Sequence, residues 1–98
     1  MLGWRIADEP EAIGRIREYL AGIEDDAVGI AAGIELRKHF ERLVLHPRLG
    51  TAPTGPFESR PIYEFTLESG DARRRASVSY HVAPDGSIDI LAFSCSRV

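Results

Sequence analysis

Side chains that can move protons or bind a phosphate are grouped between residues 64 and 81. His81 and Glu64 can act as general base and general acid, Tyr80 is a further candidate, and an arginine run occupies positions 73–75. Cleavage of RNA through its 2′-hydroxyl needs a base, an acid for the leaving oxygen and cations for the pentavalent phosphate. These residues permit that chemistry, whereas the alternative interpretation is that each is a solvated strand or hairpin residue.

The other histidines and the single cysteine do not form a metal or nucleophile motif. His39 and His46 are seven residues apart on a predicted helix, a rise of about 10.5 Å, which is too far for one metal ion. Cys95 lies between Ser94 and Ser96, which supply no activating base, so we expect a structural cysteine. The sequence also has no glycine-rich phosphate loop, CxxC pair or GxSxG motif. It predicts no metal and no cofactor.

Composition favours one soluble domain that spans residues 1–98. The chain has 98 residues, is 44% hydrophobic and has a formal net charge of -3, with 11 arginines and Lys38 as its basic residues. A chain of this length can bury one core but not two. No apolar run is long enough for a membrane span, and the single cysteine and the lack of a signal segment favour the cytoplasm. The acidic balance disfavours general binding of nucleic acid.

Two helices are predicted after a short opening strand, Leu2–Ala7. The first runs from Pro10 to Ile23, with Asp8 as its N-cap and an apolar stripe at Ile13, Ile16, Leu20 and Ile23. The second runs from Ala27 to His46, with Asp26 as its N-cap and a stripe at Ala32, Leu36, Phe40, Leu43 and Val44, flanked by Ile30 and Ile34. Gly29 and Gly33 are expected to permit close approach of the first helix.

Period-two patterns follow a loop at 47–61. They predict strands Ile62–Leu67, Ala76–Val82 and Ser87–Ser94, joined by turns at 70–71 and 84–86. The predicted fold is α+β with the order β-α-α-β-β-β. In it, a helical hairpin packs on one face of a small, mainly antiparallel twisted sheet.

The other face of the predicted sheet is open. We expect it to carry hydroxyls, carboxylates, a histidine and two large apolar groups: Glu64, Thr66, Ser77, Ser79, His81, Asp89, Leu91 and Phe93. Leu91 and Phe93 together indicate a partner site, unless the loop or the C-terminal residues cover them. In this register no arginine or lysine lies on the open face.

Two motifs carry a family resemblance. One is LxxHPxLG, at Leu43, His46, Pro47, Leu49 and Gly50; the other is VxYHVxxDGxIxIL, at Val78, Tyr80, His81, Val82, Asp85, Gly86, Ile88, Ile90 and Leu91. With the opening WRIADEPEAIGRIREYL and the β-α-α-β-β-β order, the chain resembles the RelE/ParE superfamily of bacterial type II toxins over nearly its whole length. The resemblance implies a growth-inhibiting toxin, with roles in stress response or plasmid stabilisation, that a cognate antitoxin protein neutralises.

The superfamily has two mechanisms. RelE-like members cleave messenger RNA in the ribosome, and ParE-like members poison DNA gyrase. Positions of the RelE-like nuclease residues fall here on Ser77 or Arg75, on Ala92 or Ser94, and on Cys95 or Ser96, with Arg97 nearby. Loss of one charge-stabilising donor typically costs about 2.7–4 kcal/mol of barrier lowering. The resemblance therefore favours a ParE-like toxin that binds a protein target, over a nuclease or a non-toxic binding domain of the same fold.

The predicted site residues fall into three sets. Antitoxin contacts are expected at Ile16, Leu20, Leu36, Phe40, Leu91 and Phe93. Target contacts are expected at Arg73, Arg74, Arg75 and Arg97. The nuclease alternative uses Glu64, Arg73, Arg74, Arg75, Tyr80 and His81, with the ribosome or messenger RNA as partner.

Overall fold

The computed structural model describes residues 3–51 and 60–98. Its helices and strands follow the predicted order, with strand β1 at Trp4–Ile6, helix α1 at Arg15–Ala21 and helix α2 at Asp26–Leu45. Strands β2, β3 and β4 span Ile62–Leu67, Arg74–Val82 and Ile88–Arg97. The predicted residue Leu2 of the first strand and residues 52–59 of the predicted loop lie outside the described residues.

The four strands form one mixed sheet in the order β1-β4-β3-β2. Strands β2, β3 and β4 are antiparallel neighbours, whereas β1 runs parallel to β4, with Arg5 opposite Asp89. The α+β prediction is confirmed. The two edges of the sheet are β1 and β2, and Thr51 adds one bridge to Ile62 at the β2 edge.

The first helix begins differently from the prediction. A single π-helical turn at Pro10–Gly14 precedes α1, and the N-cap is Glu9 rather than Asp8, with no side-chain capping bond. The carbonyl of Glu9 accepts from the N–H groups of Ala12 and Gly14 at 3.1 and 3.3 Å. The wider turn places Ala12 in a fully buried position. Helix α1 then ends at Ala21, two residues before the predicted end.

The second helix agrees closely with its pattern. Its cap is Asp25, one residue earlier than predicted, whose carboxylate accepts from the N–H of Val28 at 3.1 Å. The expectation about Gly29 and Gly33 is wrong, because a Cβ atom at either position would meet nothing within 4 Å. The two helices therefore do not pack closely there, and an open space separates them.

The core lies between the helices and one face of the sheet. The helices contribute Ile16, Tyr19, Ile23, Ala32, Leu36, Phe40 and Leu43, and the sheet contributes Tyr63, Phe65, Leu67, Ala76, Val78, Tyr80, Ile88, Ile90 and Phe93. Burial of so many large apolar side chains, at about 25 cal/mol per Å² of apolar area, is the main stabilising contribution.

A β-bulge changes the faces of strand β4. Ser79 is opposite Ala92 and Tyr80 is opposite Ile90, so Leu91 is the extra, unpaired residue. Beyond an extra residue the alternation of side chains shifts by one position. Phe93 therefore lies in the core at 4% exposure, and the prediction that it lies on the open face is wrong.

Candidate functional site

A groove opens where the two helices separate above the β1 edge of the sheet. Its volume is about 340 Å³, and its lining is almost entirely apolar: Trp4, Ile6, Ile16, Leu20, Ile30, Gly33, Ile34, Leu36, Arg37 and Phe40. Trp4 and Phe40 meet edge to face with ring centroids 5.1 Å apart. Ile30 and Ile34 remain 66% and 48% exposed. Exposed apolar groups around a concave surface are typical of a protein-binding site.

The rim of this groove is an unpaired strand edge. The carbonyl of Gly3 accepts from the N–H of Ile88 at 2.9 Å, and the N–H of Ala7 donates to the carbonyl of Ile90 at 2.8 Å. The backbone groups of alternate residues of β1 therefore form hydrogen bonds with β4. The backbone N–H and carbonyl groups of Trp4 and Ile6 point the other way, away from the sheet. Among the described strands, none lies beyond β1. An added strand could pair at this edge.

The groove brings together four of the six predicted antitoxin contacts. Ile16, Leu20, Leu36 and Phe40 line it; Leu20 is half-buried and the other three are buried at its floor. Phe93 is instead in the core beside Tyr19, and Leu91 is half-buried at the bulge, so neither joins the groove.

Sequence reasoning did not assign Trp4, Ile6, Ile30 and Ile34 to this site. The four-residue spacing of Ile30 and Ile34 beside the apolar stripe of α2 was the available signal. The position of β1 against α2 had no comparable signal, because it depends on pairing with a strand more than 80 residues away.

The open face of the sheet holds rows of polar side chains. Glu64, Ser77 and Ser94 form one row across β2, β3 and β4, and the hydroxyls of the two serines are hydrogen-bonded at 2.9 Å. Arg75 and Ser96 lie in the next row and line the same shallow cavity of about 370 Å³. This cavity offers hydroxyls, one carboxylate and one guanidinium to a ligand.

The prediction that the open face has no arginine is wrong. Arg75 projects onto it, because its neighbours Arg74 and Ala76 point to the helix side. Arg5 lies there as well and holds the carboxylate of Asp89 at 3.0 Å, in a row that ends at His81. The sequence pattern missed both, since β3 begins two residues earlier than expected and β1 pairs with β4.

The residues of the nuclease alternative do not meet at one point. Tyr80 is fully buried; its hydroxyl donates to the carbonyl of Pro47 and accepts from the N–H of Gly50 at 3.0 Å. Arg75 and His81 are six positions apart on an extended strand, a distance of about 20 Å. Acid–base partners must lie within about 3 Å of the reacting atoms. Tyr80 is therefore a structural residue, and His81 cannot act on a phosphate held by Arg75.

Three of the four predicted target-binding arginines have acidic neighbours within the chain. Arg73 lies 3.5 Å from Glu68, and Asp71 is shared by Arg74 at 3.1 Å and Arg97 at 3.5 Å. The hydrogen bond from Arg74 lowers the pKa of Asp71. Arg74 also lies over the ring of Tyr19, 5.3 Å from its centroid. In the described part of the chain, Arg75 alone of the four has no ion pair.

Cys95 and His39 are positioned by packing. Burial raises the pKa of the Cys95 thiol, and the nearby guanidinium of Arg74 only partly offsets this. His39 stacks on Phe65 with ring centroids 4.2 Å apart, and its Nδ1 lies 3.1 Å from the hydroxyl of Tyr63. Burial lowers the pKa of His39. Within residues 3–51 and 60–98, no three His, Cys, Asp or Glu side chains are placed to share a metal ion.

Comparison with known proteins gives no match to a protein-family model, to a curated protein or to a solved structure. The class is therefore defined by the fold alone: a small α+β domain with two helices on one face of a four-stranded mixed sheet. No helix in the described ranges has the length and apolar character needed to cross a membrane.

Proposed function

We propose that this protein is the toxin of a type II toxin–antitoxin pair and acts in the ParE-like manner, by binding a protein target such as DNA gyrase. In this proposal, a segment of the antitoxin occupies the groove between the two helices. The proposal starts from the resemblance of the two sequence motifs, and one structural observation carries it: an apolar groove with an unpaired strand edge beside it.

The groove can accommodate a peptide segment that folds when it binds. An amphipathic segment can place apolar side chains over Trp4, Ile30 and Ile34, and an extended portion can pair with the outer edge of β1. Both contacts exclude water from groups that are exposed in the isolated chain, which favours association. Among the described residues that line the groove, Arg37 is the one with a charge, so a carboxylate on the partner has a counter-ion there.

The arrangement of ionisable groups on the open face favours a protein-binding function over catalysis. Its ionisable groups lie in separate rows, with Asp89 engaged by Arg5 and with His81 about 20 Å from Arg75. A nuclease of this size needs several groups around one phosphate, and each missing donor costs about 2.7–4 kcal/mol in the barrier.

A second candidate is RelE-like cleavage of messenger RNA in the ribosome. One observation favours it: Arg75 reaches the open face beside the hydroxyls of Ser77 and Ser94, with Glu64 in the adjacent row. In this version Arg75 neutralises the phosphate, Glu64 accepts the proton of the attacking 2′-hydroxyl, and the leaving 5′-oxygen takes its proton from water.

The test is induced expression of the chain alone in a bacterial host. Separate assays then measure inhibition of DNA gyrase and cleavage of messenger RNA. The ParE-like proposal expects growth arrest with DNA-damage signalling, and inhibition of DNA supercoiling by purified gyrase. Cleavage of translated messenger RNA that is lost in Arg75→Ala would support the second candidate instead. Normal growth would refute both.

Neutralisation gives a sharper test of the groove. The probe is the antitoxin, which the proposal expects to be encoded by a short reading frame adjacent to this one. Ile34→Lys should weaken its binding at least tenfold while the chain stays folded, because Ile34 is already half exposed. Ile62→Lys is the matched control, since this isoleucine is also exposed but lies on β2, away from the groove. Equal affinity for the two variants would contradict the assignment.

A further inference from the structure

A second concave surface lies on α2, beside the turn that joins β2 to β3. We call it the α2 pocket; its volume is about 490 Å³, and it is lined by Ile34, Glu35, Lys38, His39, Arg42 and Ser69, with Ala31 at one end. Of these described residues, Ile34 alone also lines the groove. A volume of about 300–1,000 Å³ is typical of small-molecule sites. The α2 pocket is therefore a separate candidate for binding.

The walls of the α2 pocket are held in place by the surrounding structure. The carboxylate of Glu35 accepts from the N–H groups of Glu68 and Ser69 at 3.0 and 3.1 Å, which ties the turn to the helix. The ring of His39 stacks on that of Phe65, with centroids 4.2 Å apart. A ligand therefore meets a preformed pocket, and little ordering of these walls opposes its binding.

Two cations in the α2 pocket have no counter-ion. Lys38 and Arg42 both line it and lie one helical turn apart, a rise of about 6 Å. Like charges at this spacing destabilise a helix. Within the described ranges neither forms an ion pair, whereas Arg73, Arg74 and Arg97 all lie beside acids. An anion that bridges Lys38 and Arg42 removes this repulsion.

The nearby acidic residues do not neutralise both cations. Glu35 is the one acid among the described lining residues, and the N–H groups of the turn already bind its carboxylate. Glu41 is exposed, does not line the α2 pocket and forms no ion pair with Lys38 in the described part of the chain. Glu68 lies 3.5 Å from Arg73. Because the two lining cations outnumber the lining carboxylate by one, a single negative charge on the ligand is favoured.

The other end of the α2 pocket is apolar. Ile34 is 48% exposed, and the methyl group of Ala31 is exposed one turn before Glu35. From Ile34 to the midpoint between Lys38 and Arg42 the helix rises about 9 Å. A ligand that fills the α2 pocket therefore combines an anionic head with an apolar body of about this length, such as a medium-length alkyl chain or an aryl group on a short linker.

We propose that the α2 pocket binds a small amphiphilic organic acid. Its oxyanion head lies between Lys38 and Arg42, and its apolar body covers Ala31 and Ile34. A carboxylate and a phosphate monoester share this head chemistry. The inference goes beyond the proposed function and does not depend on it, because it requires neither toxicity nor an antitoxin.

The size and charge of the α2 pocket disfavour macromolecular occupants. A stable protein interface, including one with a second copy, typically buries about 800 Å² on each partner, whereas Ala31 and Ile34 are the only apolar residues that line the described pocket. Attraction to an anionic membrane typically uses four to eight basic residues. Nucleic acid needs a longer array of cations than Lys38 and Arg42 provide.

The experiment is an NMR titration of the whole chain with octanoate, which has one negative charge and an alkyl body. Lys38 is the only lysine of the chain, so reductive methylation with ¹³C-formaldehyde places one side-chain label in the α2 pocket and keeps the positive charge. We expect octanoate to shift this signal and the amides of residues 31–42 and Ser69. Octylammonium, with the same body and the opposite charge, and acetate, with the head alone, should each bind at least tenfold more weakly.

Octyl phosphate distinguishes the two head groups. Tighter binding of octanoate would assign a carboxylate head, and tighter binding of octyl phosphate would assign a phosphate head. Both results support an oxyanion between Lys38 and Arg42, provided that the shifts map to the α2 pocket.

Variants with matched controls separate the head from the body. Lys38→Gln and Arg42→Gln should each weaken octanoate binding about threefold, and the double variant at least about tenfold, because each exposed ion pair is weak. Arg37→Gln is the control, since Arg37 is exposed on the same helix but lines the groove. Ile34→Ser should weaken octanoate about threefold and leave acetate unchanged.

Ile30→Ser is the control for the apolar body, because Ile30 lines only the groove and is 66% exposed. Circular dichroism checks that the variants are folded, which is expected because all the substituted side chains are exposed.

Several results would overturn the proposal. These are equal affinity for octanoate and octylammonium, unchanged octanoate binding in the double variant, shifts centred on Trp4 and Ile30 in the groove, or no shift at about 10 mM octanoate. Sedimentation that shows a dimer lost in the double variant would assign the surface to a second copy. Binding to vesicles of anionic phospholipid that is lost in the double variant would assign it to a membrane.

Discussion

The hydroxyl of Tyr80 fixes the turn after α2, and its removal in Tyr80→Phe measures that role. The hydroxyl makes two hydrogen bonds, to the carbonyl of Pro47 and from the N–H of Gly50, while its ring is fully buried. Each bond is worth about 0.5–1.5 kcal/mol net, so we expect the free energy of unfolding to fall by about 1–3 kcal/mol. The thermal midpoint should fall by about 4–8 °C for each kcal/mol.

Urea unfolding followed by circular dichroism checks this value. The midpoint should move to lower urea with an unchanged slope, because the buried area stays nearly the same. Tyr63→Phe is the matched control: this tyrosine is also buried, and within the described ranges its hydroxyl has one hydrogen-bond partner, the Nδ1 of His39 at 3.1 Å. Because Tyr63→Phe removes one hydrogen bond and Tyr80→Phe removes two, the fall in the free energy of unfolding should be about half as large for Tyr63→Phe.

Gly50→Ala tests the same contact from the other side. A Cβ atom at Gly50 would lie 2.7 Å from both the hydroxyl and the Cε1 atom of Tyr80, so the turn must shift. Because both substitutions disrupt one contact, the double variant should lose at least about 0.5 kcal/mol less than the sum of the single losses. A loss below about 0.5 kcal/mol in Tyr80→Phe, or strict additivity with Gly50→Ala, would refute the reasoning.

Three further substitutions or treatments test other contacts. Glu35→Gln should cost about 1 kcal/mol and speed amide exchange at Glu68 and Ser69, whose N–H groups donate to the Glu35 carboxylate at 3.0–3.1 Å. Burial lowers the pKa of His39, so the unfolded chain binds more protons, and stability should fall as the pH drops below about 6.5. His39→Gln should reduce this dependence of stability on pH, measured by urea unfolding at several pH values. An unchanged pH dependence would contradict the role of His39. Burial raises the pKa of Cys95, so iodoacetamide at pH 8 should react more slowly with the folded chain than with the urea-unfolded chain; equal rates would contradict this.

Local patterns were sufficient for most of the fold. The stripe on α2 and the alternation in β2 and β3 identified core residues that the structure buries, among them Leu36, Phe40 and Val78. These signals work because one face of each element must leave water, which imposes the period of the element on the sequence. Helix ends were less accurate, since Asp8 and Asp26 have the right chemistry for a cap but Glu9 and Asp25 occupy the cap positions.

The candidate sites depended more on long-range pairing. The bulge opposite Tyr80 moved Phe93 into the core and left Leu91 at the open face, and nothing local in β4 marks it. The groove was anticipated only through Ile16, Leu20, Leu36 and Phe40, because its wall of Trp4 and Ile6 exists only once β1 pairs with β4.

The sequence by itself determined the order of the elements, the α+β class and the apolar faces of the two helices, because these depend on neighbours within a few residues. Tertiary structure decided which charges share a surface: it places Arg5 and Arg75 on the open face, and Arg73, Arg74 and Arg97 beside acidic side chains. The net charge of -3 is a sum over all residues, so it does not say where the charges lie on the surface. Electrostatic interactions fall off over about 10 Å, so their effect on binding depends on which charges the fold brings together.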